Sequence, residues 1–495
     1  MAPASHRTTA EPPSAGRRRV SDSRAAALPP AAFQAATGQG HAVVLGAGIA
    51  GLLAARVLAD SFDQVTVLDR DELPGLPGLP GLPASRAPAA GPDHAGVGDR
   101  RGVPQGRHLH ALMDRGRQIV EGLHPGIVEE LTAAGAPTSE VLVGGRYYLH
   151  GRRVRPTPTG LVGVLASRPL LDRLLLRRTA ELAQVRLRPR SAVTGLVHDG
   201  TRVTGVWVED GRGATATPSV LPAELVVDAS GRNSRALGWL AEAGAPVPPT
   251  SRVTVDLGYS SRIYERRPEH LDGDLSAIVA AAPRPTSGGA IAIEDGRWIV
   301  TLAGLLGQHP PTDDEGFEEF ARGLPVPDVY DLIRSATPLT RPVPYRFRAS
   351  VRHHFEAVRH PPDGLVVLGD ALCSFNPLYA QGMTVAAQEA LVLRESLQEG
   401  PPGLPRRFYQ AAAPVIDVAW DLAASADLRY PEVTGRRSVR GRVTGAYATR
   451  VQLRAHRDPT VARSLMRVVN LVDPPTALLR PALAARVLAP GRRDQ

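Results

Sequence analysis

Apolar runs that stop at a glycine or an acid, followed by stripes of helical period, alternate along the first half of the chain. His41-Ala-Val-Val-Leu45 reads as a buried strand, Leu52-Leu-Ala-Ala-Arg-Val-Leu58 as a helix, and Gln64-Val-Thr-Val-Leu-Asp69 as a second strand ending in a carboxylate. Leu112, Ile119, Val120 and Leu123 space out a further helix. Ser167 and Pro169 suit the cap and first turn of another, with Leu170, Leu171 and Leu174 to Leu176 as its buried stripe. Alternating strands at 192–197 and 202–208, joined through His198-Asp-Gly-Thr201, predict a hairpin. Two more buried strands end in acids, Glu224-Leu-Val-Val-Asp228 and Gly364-Leu-Val-Val-Leu-Gly-Asp370, the second leading into a helix through Leu397. Between them, 253–259, 289–293 and 298–302 predict an antiparallel sheet, and the chain after Pro401 reads as helical.

The first strand-to-helix junction carries chemistry. In Gly46-Ala-Gly48-Ile-Ala-Gly51, the first glycine permits a tight turn, the second lets backbone amides approach a pyrophosphate, and the third lets helix and strand pack closely. Asp69 follows Gly46 by 23 residues, near the offset at which a carboxylate reaches an adenosine ribose. The unit predicts a bound dinucleotide.

Composition narrows the choice. The 495 residues, 43% of them hydrophobic, can build a sizeable core, and no apolar run is long enough to span a bilayer. The formal charge of +9 is carried by dispersed arginines without a single lysine, which argues against nucleic acid as partner and excludes Schiff-base chemistry. With Cys373 alone, no intrachain disulfide is possible, and a cytoplasmic setting is expected. Residues 1–40, rich in Pro, Ala, Ser and Arg, predict a disordered extension, and the Leu-Pro-Gly repeats and Pro/Ala/Gly tract over 73–99 a flexible insertion. The pairs His108/His110 and His353/His354 lack the further ligands of a metal site, so no metal is expected.

Three motifs in this order and at these separations resemble the flavoprotein monooxygenases of the para-hydroxybenzoate hydroxylase fold: the glycine turn, Asp228-Ala-Ser-Gly231-Arg-Asn-Ser234-Arg235, and Gly369-Asp370 followed by Phe375-Asn-Pro377-Leu-Tyr-Ala-Gln-Gly382-Met383. Within that superfamily, Arg101-Gly-Val-Pro-Gln-Gly-Arg107-His-Leu-His110 and Gly296-Arg-Trp-Ile-Val-Thr301 are similar to the bacterial squalene-epoxidase-like group that includes polyether-antibiotic epoxidases. The resemblance implies an α/β fold: a Rossmann-like FAD-binding domain (GR2 type) with an interleaved antiparallel-sheet substrate domain and a helical C-terminal region. On this reading the FAD-binding domain occupies 41–245 and 351–400, the substrate-binding sheet 246–350 and the helical region 401–495. The apolar segment from Ala477 to Leu488, interrupted by Pro481, caps the substrate domain or rests on a membrane surface.

The resemblance also implies a site. Gly46, Gly48 and Gly51 would hold the FAD pyrophosphate and Asp69 the adenosine ribose. Arg168 would contact the ribityl-phosphate region and Asp370 the ribityl chain or phosphates. The backbone from Pro377 through Gly382 to Met383 would approach the pyrimidine edge of the isoalloxazine. Arg107, Asp228 and Gly369 complete the expected cofactor-binding set, and Tyr379 is the candidate catalytic side chain beside the flavin. Two positions depart from the family pattern: Asp228-Ala-Ser-Gly fits only a subgroup, and Ala380 stands where related epoxidases have glycine.

The implied chemistry is transfer of one oxygen atom from O2, through a flavin C4a-hydroperoxide, to a hydrophobic polyketide- or terpene-like substrate, free or carrier-bound. Alkene epoxidation leads, since it needs no protein base. Electrons come from NAD(P)H directly or through a separate flavin reductase. Aromatic hydroxylation, reduction of isoprenoid double bonds and non-catalytic flavin binding stay open.

Overall fold

In the computed structural model of the protein, residues 39–73, 100, 102–211, 218–437 and 439–489 are described, without the side chains of Gln39 and of 439–443. The expected extension over 1–40 lies outside them apart from Gln39 and Gly40, which begin the first strand, and the expected insertion over 73–99 apart from Leu73, which is buried.

The glycine-ended run and the three acid-ended runs assemble into one sheet, joined at its edge by a strand the sequence did not announce, Val185–Arg188. Five parallel strands lie in the order Leu365–Val367, Leu225–Asp228, Gln39–Leu45, Phe62–Leu68 and Val185–Arg188. Their continuous valine and leucine runs suit a sheet covered on both faces, and Val43, Val44, Val65, Val67, Val226 and Val366 are fully buried. The helices Ile49–Leu58 and Gly382–Leu397 share its core, as do Val206 and Val208 of the predicted hairpin, Ser191–His198 with Val203–Asp210. That hairpin gains a third strand, Pro218–Pro222.

A second, eight-stranded sheet has the order Cys373–Ser374, Val343–His353, Thr250–Glu265, Arg297–Gly304, Thr286–Ile293, Ser276–Val279, Arg146–Leu149, Arg152–Arg153. The three predicted antiparallel strands are its centre. Its edges are recruited from elsewhere: two short strands come from before residue 160, and Cys373–Ser374 follows the Asp370 turn directly. The chain therefore leaves the parallel sheet at Val367 and enters the other at Cys373, so Asp370 lies at the crossing.

The helix Leu404–Asp427 bridges both layers. Phe408, Tyr409, Ala412 and Ile416 join the core of the parallel sheet, while Ala424 packs against the cluster of Val253, Val255 and Phe347. The Tyr409 hydroxyl accepts the Val367 amide at 2.9 Å, fixing the helix to the end of the edge strand Leu365–Val367. Farther on, Val439–Ala455, Pro459–Val469 and Pro481–Leu488 cover the far end of the eight-stranded sheet, with Val451, Leu465, Leu483 and Val487 against Leu149 and Val154. Pro481, expected to interrupt this segment, opens its last helix instead, where its missing N–H costs nothing. Among the described residues no helix is long and apolar enough to cross a membrane.

Candidate functional site

At the end of the first strand the chain turns at Gly46, whose φ of +96° is left-handed and whose Cβ would lie 2.8 Å from the Ala229 carbonyl oxygen. A Cβ on Gly51 would lie 1.9 Å from the Gly46 carbonyl oxygen, so helix and turn are in direct contact. Gly48 differs from both. It caps the helix Ile49–Leu58 in an extended conformation, and a Cβ there would meet nothing within 4 Å. Open space thus faces a helix N-terminus whose first amides lack intrahelical acceptors and whose dipole favours an anion. A pyrophosphate fits this cradle, and no acidic side chain stands in the helix's first turn to repel it.

The three strand-end acids are used differently. Asp69 Oδ2 accepts the Ala47 amide at 2.7 Å and pairs with Arg100, which also donates to the Ala47 carbonyl at 2.6 Å. Its Oδ1 accepts the Asp71 amide at 2.9 Å. Asp228 is 0% exposed: Oδ1 accepts from the Ser230 amide at 2.9 Å and the Ser230 hydroxyl at 2.5 Å, and Oδ2 accepts from the Ser234 hydroxyl at 2.5 Å. Its carboxyl, pushed up by burial, is spent on its own turn. Asp370 stands where the motifs meet. Gly369, left-handed at φ +64°, abuts the first helix, where its Cβ would lie 2.7 Å from that of Ala50, and the turns Gly231–Asn233 and Gly369–Ala371 touch. Burial pushes the Asp370 carboxyl up, against the pull of Arg232 and Arg168.

Arg168 is buried and donates to Asp172 Oδ1 at 2.7 Å. With His110, Leu112, Leu171 and Met383 it lines an apolar hollow, so the structure brings Arg168, Asp370, Gly382 and Met383 together. Arg107 ends the turn Pro104–Arg107 and is exposed. The loop before the helix Gly382–Leu397 begins with Asn376, buried, and Pro377, exposed, and passes through Ala380 at φ +52°. Tyr379 donates its hydroxyl proton to Asp427 Oδ1 at 2.7 Å. Burial and the Asp427 charge push its pKa well up, so it is a tied donor at neutral pH.

On the opposing wall, His108 lies 5.7 Å from the Tyr259 ring and 5.4 Å from that of Tyr345, and the two tyrosines stack at 6.0 Å. Arg232 donates to the Tyr345 hydroxyl at 2.8 Å and lies over Phe347. His108 Nδ1 bonds Ser261 Oγ at 2.7 Å, and His110 Nδ1 donates to the His108 carbonyl at 2.9 Å. Burial first, then neighbouring positive charge, lowers both imidazoles to about 4, so both are neutral at pH 7.

Residues 41–256 match the family described as FAD binding domain, and residues 278–404 the family described as squalene epoxidase. Over 450 residues the chain is 32% identical to Protein Rv3254 of Mycobacterium tuberculosis, covering 88% of this chain and 90% of that one. The chain belongs to the FAD-dependent monooxygenases of the para-hydroxybenzoate hydroxylase fold. The architecture of this flavoprotein monooxygenase recurs in the flavin-dependent brominase Bmp2, with a TM-score of 0.61 and 16% identity over 87% of this chain and 93% of that one. It recurs also in the OxyS anhydrotetracycline hydroxylase of Streptomyces rimosus, with a TM-score of 0.55 and 18% identity over 88% of this chain and 76% of that one. At these identities the likeness establishes the fold.

Five residues of the site escaped the sequence reading. Glu389, 0% exposed, accepts the Gly369 amide at 2.5 Å; a lone acid within the apolar stretch 385–393 was its signal. Arg100 directly precedes the motif 101–110 and Arg232 lies within the motif 228–235, with no role read for either, whereas Asp427 and Tyr345 carry no local signal, because only the register of the sheet and the packing of the bridging helix bring them into place.

Proposed function

We propose that this flavoprotein monooxygenase epoxidises an alkene of a hydrophobic polyketide- or terpene-like substrate, free or carrier-bound, with one oxygen atom from O2. The reading is carried by the squalene-epoxidase likeness over 278–404, which takes in the strands Arg297–Gly304 and Val343–His353 and the loop from Asn376 to Met383. Bound FAD, reduced by NAD(P)H or through a separate flavin reductase, supplies the electrons that activate O2.

The chain's own residues bind, orient and exclude water. Gly48 leaves room for the pyrophosphate at the helix N-terminus, in a turn shaped by Gly46 and Gly51, and Asp69 with Arg100 forms the ribose end. Arg168 and Asp370 hold the ribityl-phosphate region, with Gly369 setting the turn. Asp228 acts indirectly by fixing the adjoining loop, and Arg107 by closing the turn before His108. Pro377 opens the loop that delivers Gly382 and Met383, where the helix N-terminus stabilises negative charge at the pyrimidine edge. Leu112, Leu171 and Met383 form a dry wall. Epoxidation needs no protein base, in keeping with His108 and His110, which burial makes weak bases with pKa values of about 4, and with a Tyr379 that donates rather than accepts.

One observation favours a second reading, aromatic hydroxylation: Tyr345, partly exposed and stacked on the buried Tyr259, offers an aromatic ring against which a flat substrate can pack. Incubation with FAD, NAD(P)H, a flavin reductase and either candidate polyenes or candidate phenols under isotope-labelled O2, followed by mass spectrometry, separates the two. One incorporated labelled atom is expected. Two added hydrogens without label would make the protein an isoprenoid reductase, and labelling of phenols alone would favour hydroxylation.

A further inference from the structure

The loop 376–381 holds a buried amide side chain and a left-handed alanine in succession, and a single carboxyl answers for both. Asp427, the last residue of the bridging helix, accepts at Oδ1 from Asn376 Nδ2 at 2.8 Å and from the Tyr379 hydroxyl at 2.7 Å. Asn376 in turn accepts the Leu378 amide at 3.1 Å. The loop is thus pinned at both ends of its 3-10 turn, Pro377–Tyr379, and Ala380 makes its left-handed step immediately beyond the second pin. An L side chain adopts that conformation only at a cost, so something outside the loop must hold it.

The anchor is itself unusual. Asp427 is 0% exposed, and its Oδ2 is buried with no hydrogen-bond partner among the described residues. It sits at a helix C-terminus, where the dipole disfavours a negative charge. The titratable groups near it are Tyr379 on the loop, Tyr259 on the sheet, and Arg429 and Tyr430 just beyond the helix; burial opposes ionisation and outweighs the hydrogen bonds from Tyr379 and Asn376 and the charge of Arg429, which favour it.

We propose that Asp427 is a positioning residue for the cofactor-side loop, acting through Asn376 and Tyr379 as a neutral acid whose ionisation loosens the loop. Burial pushes its carboxyl up to about 7. In the neutral form the carbonyl oxygen accepts both hydrogen bonds. In the ionised form Oδ2 carries charge with no donor beside it, a state relieved by entry of water or by movement of the loop. The proposal rests on the FAD reading given above.

The test is FAD affinity, followed by quenching of flavin fluorescence, for the wild type and for Asp427→Ala, Asp427→Asn, Tyr379→Phe and the double variant Asp427→Ala with Ala380→Gly. Asp427→Ala is expected to weaken binding about tenfold or more, because two hydrogen bonds of the loop go. Adding Ala380→Gly is expected to recover at least half of that loss on a logarithmic scale, since glycine holds the left-handed step unaided. Wild-type affinity is expected to fall as pH rises from 6 to 8, and that of Asp427→Asn, which keeps an acceptor but cannot ionise, to stay level, with Tyr379→Phe weaker at every pH. Unchanged affinity in Asp427→Ala, or no recovery with Ala380→Gly, overturns the proposal. Should the alanine variant fail to fold, an Asp427→Asn profile matching the wild type overturns it instead. Failure of the wild type itself to take up FAD would overturn the underlying cofactor reading, a separate result.

Discussion

Glu389 Oε2 accepts the backbone amide of Gly369 at 2.5 Å, so the helix that follows the cofactor-side loop also grips, from behind, the turn that presents Asp370. Replacing Glu389 with alanine leaves that amide buried without an acceptor, a loss of roughly 1–3 kcal/mol in unfolding free energy. Glu389→Gln keeps an acceptor and should recover most of it. Urea unfolding measures the cost. FAD titration should show both variants shifted in the same order, because Gly369 and Asp370 move together; an alanine variant as stable as the wild type would show the bond to be idle.

The three glycines of the first turn should separate stability from binding. Gly51→Ala drives a methyl to 1.9 Å from the Gly46 carbonyl oxygen, backbone that cannot swing aside, and should destabilise the fold by roughly 1–3 kcal/mol. Gly48→Ala meets nothing within 4 Å and should fold with an unchanged thermal midpoint. A methyl there enters the space assigned to the pyrophosphate, so FAD affinity should fall at least tenfold. Equal FAD affinity in Gly48→Ala and wild type would remove the pyrophosphate from this cradle.

Four of the five strands of the parallel sheet were legible because each is a short apolar run closed by a glycine or an acid, a signal contained within a few residues; the edge strand Val185–Arg188, in which arginine alternates with the apolar residues, carries no such signal. The edges of the second sheet were not. Cys373–Ser374 and Arg152–Arg153 are two residues each, too short for any period, and they become strands only because a longer strand lies alongside. The same distinction runs through the site. Gly46, Gly48 and Gly51 declare themselves by spacing, whereas Asp427 reaches Tyr379 across 48 residues through the packing of a helix. Asp228 shows the limit from the other side: an acid at a strand end reads alike whether its oxygens meet a ligand or, as here, the donors of its own turn.

That arrangement makes Asp228 the most costly of the strand-end acids to remove. Asp228→Ala removes the shared acceptor of one amide and two hydroxyls, of which Ser230 is exposed and Ser234 half-buried, and a loss of roughly 1–3 kcal/mol is expected. Asp228→Asn, which retains a single carbonyl acceptor, should fall between the alanine variant and the wild type. Thermal unfolding of the FAD-free protein is the measurement, since the effect belongs to the fold. If instead the alanine variant keeps its thermal midpoint and loses only FAD, Asp228 touches the cofactor directly.

Stability should also turn over with pH, because buried groups of both kinds are perturbed. Burial lifts Glu389 to about 8 and Asp427 to about 7, against roughly 4.3 and 3.9 in an unfolded chain. The folded protein therefore binds more protons than the unfolded one from about pH 4 up to those values, and these two groups make stability fall as pH rises through that window. His108, His110 and His124, lowered to about 4 by burial, do the opposite: their contribution is complete above roughly pH 6.5 and is lost as pH falls toward 4. Below pH 6.5 the two trends oppose each other. Between pH 6.5 and 8 the carboxyls act without that opposition, and unfolding free energy should drop by roughly 1–2 kcal/mol. The double variant Glu389→Gln with Asp427→Asn should hold a level midpoint across the same interval. A wild-type thermal midpoint that is flat or rising from pH 6.5 to 8 would mean that at least Glu389 is ionised throughout, with a donor to its Oε1 supplied by water.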